Sequence, residues 1–135
     1  MKKLLTLVAT LAIAASIYAG EYPDISIKEL KAAIESKKVT LIDANGTDTW
    51  QKTHIPTAID FASNKEKLTK VLPKDKNALV VAYCGGPTCM AYQAAAKQAK
   101  ELGYTNVRHL SAGISGWMSA GEKTDKGAEK TDKKS

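Results

Sequence analysis

The central stretch of this chain reads Val80-Val81-Ala82-Tyr83-Cys84-Gly85-Gly86-Pro87-Thr88-Cys89-Met90. Its apolar first part predicts a buried strand, and its glycine loop opens into a helix. Unpaired amides in the first turn of a helix, together with the positive end of the helix dipole, stabilise a thiolate. We therefore expect Cys84 to be a nucleophile. The alternative is a structural role, in which Cys84 and Cys89 form a disulfide or pack as small hydrophobic residues.

The composition is that of a small globular protein. A chain of 135 residues allows one domain, and a hydrophobic content of 44% is ordinary for a chain with one buried core. The net charge is +6, but the lysines are scattered among acidic residues. This pattern predicts a solvated surface, so no nucleic-acid partner is expected.

The N-terminus has the organisation of a signal peptide. Met1-Lys2-Lys3 is basic, residues 4–17 form an apolar run, and Tyr18-Ala19-Gly20 offers a small-residue cleavage site. We predict a signal peptide over residues 1–19 and a periplasmic or secreted product. A membrane anchor is the alternative, but the apolar run is shorter than the ~20 residues that span a bilayer, so stable membrane insertion is not expected. An oxidising compartment would favour pairing of the two thiols.

The C-terminus contains a short repeat, in which Glu122-Lys123-Thr124-Asp125-Lys126 recurs as Glu129-Lys130-Thr131-Asp132-Lys133. After Met118 no apolar residue is larger than alanine. Segments of this composition cannot bury enough apolar surface to fold. Residues 121–135 are therefore predicted to be a disordered charged tail, and the folded domain is expected to span residues 21–120.

Helical and strand patterns alternate through this domain. Two capping boxes, Ser26 with Glu29 and Ser63 with Glu66, predict helix starts, and a third helix follows the cysteine loop. The alternation predicts an α/β fold with a mostly parallel central sheet, helices on both faces and a ligand site at the carboxyl ends of the strands, where Cys84 lies. The helices are predicted over residues 28–36, 63–72 and 91–102, and the strands over residues 39–43, 58–61, 78–83 and 107–110.

Five short motifs occur in order along residues 26–121. They are Leu41-Ile42-Asp43-Ala44, Trp50 with His54-Ile55-Pro56-Thr57-Ala58-Ile59, Tyr83-Cys84 with its loop, Gly103-Tyr104 with Val107, and Gly113-Ile114-Ser115-Gly116-Trp117. Together they resemble the rhodanese-like sulfurtransferases, here as a single-domain, exported member. The resemblance implies the rhodanese-like fold. It also implies a reaction in which Cys84 attacks a sulfane sulfur, becomes a persulfide and passes the outer sulfur to a thiophilic acceptor.

Such a persulfide anion needs several N–H donors, and a glycine loop offers them from its backbone. Pro87 has no N–H to give. The loop from Cys84 to Cys89 has six residues, the length that the family associates with sulfur, whereas related phosphatase loops are one residue longer and end in arginine. The predicted substrate-binding residues, through their backbone amides, are Gly85, Gly86, Thr88, Cys89 and Met90.

The chain departs from the family pattern at the end of this loop, where Cys89 occupies a position that is often basic. The family's arginine after the first aspartate is also replaced, by Asn45. Thiosulfate would therefore lack a guanidinium partner, and neutral or polymeric sulfur or a protein persulfide becomes the more plausible donor. Cys89 is a candidate resolving thiol, because it can attack the Cys84 persulfide, release sulfide and leave a disulfide that a reductant must reset.

Asp43 and His54 are candidate supporting residues, although a buried satisfied carboxylate and a hydrogen-bonded structural histidine explain them equally well. His54 and His109 could join the cysteines as metal ligands. Four residues separate the two cysteines, which is wider than the spacing common in zinc sites, so no metal is expected. No cofactor is expected either.

The sequence thus predicts a sulfurtransferase that moves sulfane sulfur through a Cys84 persulfide. Its partners would be a small sulfur-containing donor and a thiol or other thiophilic acceptor, and a protein could serve as acceptor or reductant. Two alternatives stay open. One is a periplasmic thiol-disulfide oxidoreductase that uses Cys84 and Cys89, and the other is a non-catalytic persulfide carrier or binding module.

Overall fold

The computed structural model describes residues 22–128. The predicted signal peptide over residues 1–19 lies outside this range, as do residues 129–135. No helix within residues 22–128 is long and apolar enough to cross a membrane. The elements follow in the order α1 (Ile27–Glu35), β1 (Thr40–Asp43), α2 (Thr47–Lys52), β2 (Ile59–Asp60), α3 (Phe61–Asn64), a 3-10 turn (Lys65–Lys67), α4 (Leu68–Val71), β3 (Val80–Tyr83), α5 (Tyr92–Glu101), β4 (Val107–His109) and α6 (Gly113–Ser119).

The four strands form one sheet in the order β2-β1-β3-β4, and all neighbours run parallel. The two central strands, β1 and β3, pair from Thr40 with Val80 to Asp43 with Tyr83. All four residues of β3 are buried, as expected for a central strand covered on both faces. The predicted α/β fold with a parallel sheet is confirmed. Because parallel strands end at the same edge, Asp43 and Tyr83 lie side by side at the ends of β1 and β3. Cys84 is the next residue after Tyr83.

Helices cover both faces of the sheet, and the side chains of β3 alternate between them. Val80, Ala82 and Cys84 belong to the core that contains the buried residues of α5. Val81 and Tyr83 belong to the opposite core, which α1 and α6 complete. This alternation is the two-residue period of a strand. It directs the Cys84 side chain towards the α5 side of the sheet.

The first predicted capping box is confirmed and the second is wrong. The Ser26 hydroxyl accepts a hydrogen bond from the Glu29 amide at 3.1 Å, and the Glu29 carboxylate accepts one from the Ser26 amide at 3.5 Å. In the second segment Asp60 is the cap, and its carboxylate accepts from the Ala62 amide at 3.1 Å. The hydroxyl of Ser63 donates to the same carboxylate at 2.5 Å. With Asp60 as the N-cap the helix begins earlier, Ser63 lies inside α3, and the segment continues as a 3-10 turn and α4.

The structure differs from the predicted disordered tail over residues 121–128. The amide of Asp125 donates to the His54 carbonyl at 2.9 Å, and the His54 amide donates back to Asp125 at 2.9 Å. The Gly127 amide donates to the Gln51 carbonyl at 3.0 Å, and the Trp117 indole donates to the Lys123 carbonyl at 2.8 Å. We call residues 122–127 the C-terminal strap. Its hydrogen bonds come mostly from backbone groups, which is why a composition poor in apolar residues did not predict it.

Truncation after Gly121 is expected to lower the free energy of unfolding by about 3 kcal/mol, since it removes five hydrogen bonds, including that from the Glu122 amide to the Trp117 carbonyl, worth roughly 0.5–1 kcal/mol each. It also removes the ion pair of Lys31 with Glu122, whose exposed Nζ and carboxylate oxygen are 3.0 Å apart. Urea unfolding of the two chain lengths measures the difference. Truncation after Ala128 keeps the strap and is the matched control. Equal midpoints for the two truncated chains would contradict the prediction.

Candidate functional site

Cys84 lies directly after β3, and only 1% of its surface is exposed. Its sulfur is bonded to that of Cys89, and the two Cα atoms are 6.2 Å apart. Cys89 is partly exposed and lies between the exposed residues Thr88 and Met90. The disulfide that the sequence left as an alternative is therefore present. It joins the two candidate catalytic residues across the cysteine loop, residues 84–89.

The backbone of the cysteine loop has spare hydrogen-bond donors. Within residues 22–128, the amides of Gly85, Gly86, Thr88 and Met90 donate to no protein acceptor. The fifth predicted donor, the Cys89 amide, donates to the Gly86 carbonyl at 3.0 Å. Several free amides in one tight loop, next to the start of α5, form a region that favours an anion.

Helix α6 holds the first half of the loop. The amides of Ile114 and Ser115 donate to the carbonyls of Cys84 and Gly85, each at 3.0 Å. Gly113 begins this helix with a φ of +61°, and a β-carbon there would lie 2.5 Å from the Gly86 nitrogen. Only glycine therefore allows the helix to approach this closely. The motif Gly113-Ile114-Ser115-Gly116-Trp117 thus packs against the cysteine loop and holds its first residues in place.

A buried hydrogen-bond network connects the strand ends beside Cys84. The Tyr83 hydroxyl donates to the Asp43 carboxylate at 2.6 Å and accepts from the Ile55 amide at 3.0 Å. The second Asp43 oxygen accepts from the Asn45 amide at 2.7 Å. Burial raises the pKa of Asp43, and the hydrogen bonds from Tyr83 and Asn45 oppose that rise. Burial and the neighbouring Asp43 carboxylate raise the pKa of Tyr83. Asp43 thus bonds the residue that precedes Cys84.

The sequence left Tyr83 without a role, and the structure gives it one. A tyrosine in an otherwise aliphatic buried strand needs a partner for its hydroxyl. The register of β1 with β3 places Asp43 opposite Tyr83. A polar group in each of two central strands was the available signal.

Asn45 occupies the position beside the loop where the family pattern has arginine. A β-carbon on Gly85 would lie 3.8 Å from the Asn45 Oδ1 atom. The Asn45 Nδ2 atom is buried and has no hydrogen-bond acceptor among the described residues. Arg108, the single arginine of the sequence, bonds the Asp24 carbonyl at 2.6 Å and the Glu29 carboxylate at 3.2 Å. The Arg108 guanidinium therefore does not bond the cysteine loop.

His54 is placed with the C-terminal strap and not with the cysteine loop. Its Nδ1 atom lies 2.7 Å from the Trp50 carbonyl, and its ring stacks on Trp50 with centroids 4.3 Å apart. His109 stacks in the same way on Tyr92, the first residue of α5, and burial lowers the His109 pKa. Among residues 22–128, no three His, Cys, Asp or Glu side chains are grouped so as to hold a metal.

Comparison with known proteins agrees with this architecture. The model of the rhodanese-like domain family matches residues 26–120. An HTH-type transcriptional regulator of Mycobacterium tuberculosis is 34% identical over 123 residues, which cover 89% of this chain and 53% of the regulator. The chain thus spans about half the length of this curated relative.

Solved structures show the same fold. The rhodanese-like domain of an Anabaena protein, determined by NMR, superposes with a TM-score of 0.62 at 20% identity, covering 84% of this chain and 86% of that chain. The thiosulfate sulfurtransferase of Pseudomonas aeruginosa gives a TM-score of 0.62 at 22% identity over 79% of this chain and 21% of that chain. With the family match over residues 26–120, these likenesses lead to one conclusion: the chain belongs to the rhodanese-like domain family.

Proposed function

We propose that this protein is a sulfurtransferase that carries sulfane sulfur as a Cys84 persulfide. The observation that carries the proposal is the position of Cys84 at the carboxyl end of a central strand, in a loop whose amides at Gly85, Gly86 and Thr88 bond no acceptor among residues 22–128. The sequence likeness at the family's active-site segment supports the same assignment. The amides would stabilise the thiolate before the reaction and the persulfide anion after it.

The reaction begins from the reduced loop. The Cys84 thiolate attacks the outer sulfur of a sulfane donor, a new S–S bond forms, and the donor leaves with the electron pair of the bond that breaks. A thiophilic acceptor then attacks the outer sulfur of the persulfide, and Cys84 leaves as the thiolate. Because both anions are centred at Cys84, the amides that follow it in the loop would stabilise the thiolate and the persulfide alike.

The donor that fits this site best is neutral or polymeric sulfur, such as polysulfide. Thiosulfate carries two negative charges, and a guanidinium is the usual partner of such an oxyanion. Cys89 ends the loop in this chain, and Arg108 is held by Asp24 and Glu29. We further propose that the protein is exported, on the basis of residues 1–19, and that a thiol or a protein accepts its sulfur.

The Cys84–Cys89 bond favours a second candidate function, that of a thiol-disulfide oxidoreductase. In that case the two sulfurs would exchange electrons with a partner dithiol and no sulfur would be transferred. The two functions differ in what Cys84 does alone. Sulfur transfer needs only Cys84, whereas oxidoreductase turnover through this bond needs both cysteines.

Intact mass of the reduced protein separates the two functions. After exposure to polysulfide, the wild type is expected to gain one sulfur, about 32 mass units, and the Cys84→Ser variant is expected to gain none. Thiosulfate is expected to convert a smaller fraction of the protein to the persulfide than polysulfide does. A wild type that only loses two hydrogens, together with a Cys89→Ser variant that gains no sulfur, would instead support the oxidoreductase.

The Cys89→Ser variant is the matched control, because it keeps the nucleophile and removes the candidate resolving thiol. It is expected to gain the sulfur and to retain it longer than the wild type. An equal persulfide lifetime in the two proteins would exclude Cys89 as the resolving thiol. Sulfur gain that persists in Cys84→Ser would exclude the proposed function itself.

A further inference from the structure

We propose that the oxidised loop is itself a sulfur acceptor and takes up hydrosulfide at Cys89. This inference rests on the proposed function, because it uses the same loop, but it begins from the disulfide and not from the thiolate. It adds inorganic sulfide to the sulfane donors as a substrate class. It also gives Cys89 a role in sulfur entry, in addition to the role of resolving thiol.

Access favours attack on Cys89 over attack on Cys84. Thiol-disulfide exchange requires the nucleophile to reach one sulfur in line with the bond that breaks. Only 1% of Cys84 is exposed, and its side chain lies in the core on the α5 face of the sheet. Cys89 lies at the partly exposed end of the loop, between the exposed Thr88 and Met90. A small anion from solvent therefore meets Cys89 first.

The loop also offers stabilisation for the leaving group that this direction requires. The sulfur whose thiolate is more stable leaves faster in a disulfide exchange. The free amides of Gly85 and Gly86 directly follow Cys84, and α6 holds the backbone there through two hydrogen bonds. The Cys89 amide, in contrast, is already used by the Gly86 carbonyl. These amides would stabilise a Cys84 thiolate as it leaves, and attack on Cys89 is the reaction that releases it.

The step balances without a further reactant. Hydrosulfide donates an electron pair to the Cys89 sulfur, and a new S–S bond forms there. The Cys84–Cys89 bond breaks, and its electron pair leaves with Cys84 as the thiolate. The proton of hydrosulfide stays on the outer sulfur or passes to solvent. The sulfide sulfur is oxidised, the protein disulfide is reduced, and one disulfide is consumed for each sulfur that enters.

The products lead into the proposed transfer reaction. The released Cys84 thiolate attacks the outer sulfur of the Cys89 persulfide, and the Cys89 thiolate leaves. The sulfur then resides on Cys84, where an acceptor can take it. This order of events differs from the direct reversal of the resolving step, in which hydrosulfide would reach Cys84 first. The cysteine that first carries the added sulfur therefore decides between the two orders.

The test uses the oxidised full-length protein, one equivalent of sodium sulfide without oxygen, and a rapid quench with an alkylating reagent. Trypsin releases both cysteines in the peptide of residues 77–97, and fragment ions broken between them locate the added sulfur. At the earliest quench, an extra mass of about 32 units is expected mainly on Cys89, with Cys84 alkylated as a plain thiol. A later shift of this mass to Cys84 is expected as the sulfur moves inward.

Two results would overturn the inference. One is added sulfur mainly on Cys84 at the earliest quench, and the other is a reduced loop that retains no sulfur. The reduced wild type and the Cys89→Ser variant are the matched controls, since neither has the disulfide and neither should gain sulfur from hydrosulfide. The proposed function is tested separately, by exposing the reduced wild type to polysulfide. It fails if that protein gains no sulfur.

Discussion

Replacing Gly113 with alanine is expected to destabilise the protein by roughly 3–5 kcal/mol and to prevent sulfur uptake at Cys84. The new β-carbon would lie 2.5 Å from the Gly86 nitrogen and 2.6 Å from the Gly85 carbonyl carbon. Both are backbone atoms, so no flexible side chain can move aside. Either α6 or the cysteine loop must shift, and the two hydrogen bonds that join them would lengthen or break.

The matched control for this variant is Gly121→Ala. Gly121 has a φ of +77°, similar to the +61° of Gly113, but a β-carbon there meets no atom within 4 Å. The control therefore carries the cost of a left-handed alanine, about 1–2 kcal/mol, without the collision. Urea unfolding and sulfur uptake by intact mass are measured for both variants. Similar losses of stability would show that backbone conformation, and not the contact with the loop, decides the need for glycine.

Replacing Tyr83 with phenylalanine is expected to cost about 3 kcal/mol, because it leaves two buried polar groups, the Asp43 carboxyl and the Ile55 amide, without a partner. The cost is expected to increase with pH. Burial raises the folded-state pKa of Asp43 above its usual 3.8, and the Tyr83 hydrogen bond limits that rise. The folded protein binds the proton more tightly, so this group's contribution to stability falls as pH rises from 3.8 through the folded pKa. Without Tyr83 that pKa is higher and the fall is larger.

Tyr104→Phe is the control for Tyr83→Phe. Tyr104 is also buried, and its hydroxyl donates to the uncharged Pro73 carbonyl. Its loss should cost stability to the same extent at every pH. Urea unfolding of both variants and the wild type from pH 4 to pH 8 measures the difference. A cost for Tyr83→Phe that stays constant over this range would contradict a charged partner.

The fold could be predicted from local patterns because each of them reflects one physical requirement. Four apolar residues of β3 need a sheet covered on both faces, and the Ser26–Glu29 pair satisfies the orphan donors of α1. The second capping box failed because residues outside its four-residue window decided the outcome. Asp60, three residues before Ser63, takes the N-cap position, and Ser63 becomes an interior residue of α3.

The site could be predicted only in part, for a similar reason. Cys84 and the loop amides follow from a contiguous stretch, but the network of Asp43 with Tyr83 depends on strand register, which joins residues far apart in the chain. The strap also escaped prediction, since its bonds to His54 and Gln51 are made by backbone atoms that every residue has. Composition reports apolar burial, and it does not report backbone pairing of this kind.

The two hydrogen bonds from α6 to the carbonyls of Cys84 and Gly85 divide the cysteine loop into two halves. Cys84 and Gly85 form a fixed half, and the remaining residues form a releasable half. The fixed half is bonded to α6 by hydrogen bonds that do not involve the disulfide. The releasable half, from Gly86 to Cys89, is joined to Cys84 by the disulfide, and the bond from the Cys89 amide to the Gly86 carbonyl lies within this half. Reduction of the disulfide is therefore expected to free Cys89 from Cys84, while the two hydrogen bonds from α6 still hold Cys84 at the end of β3.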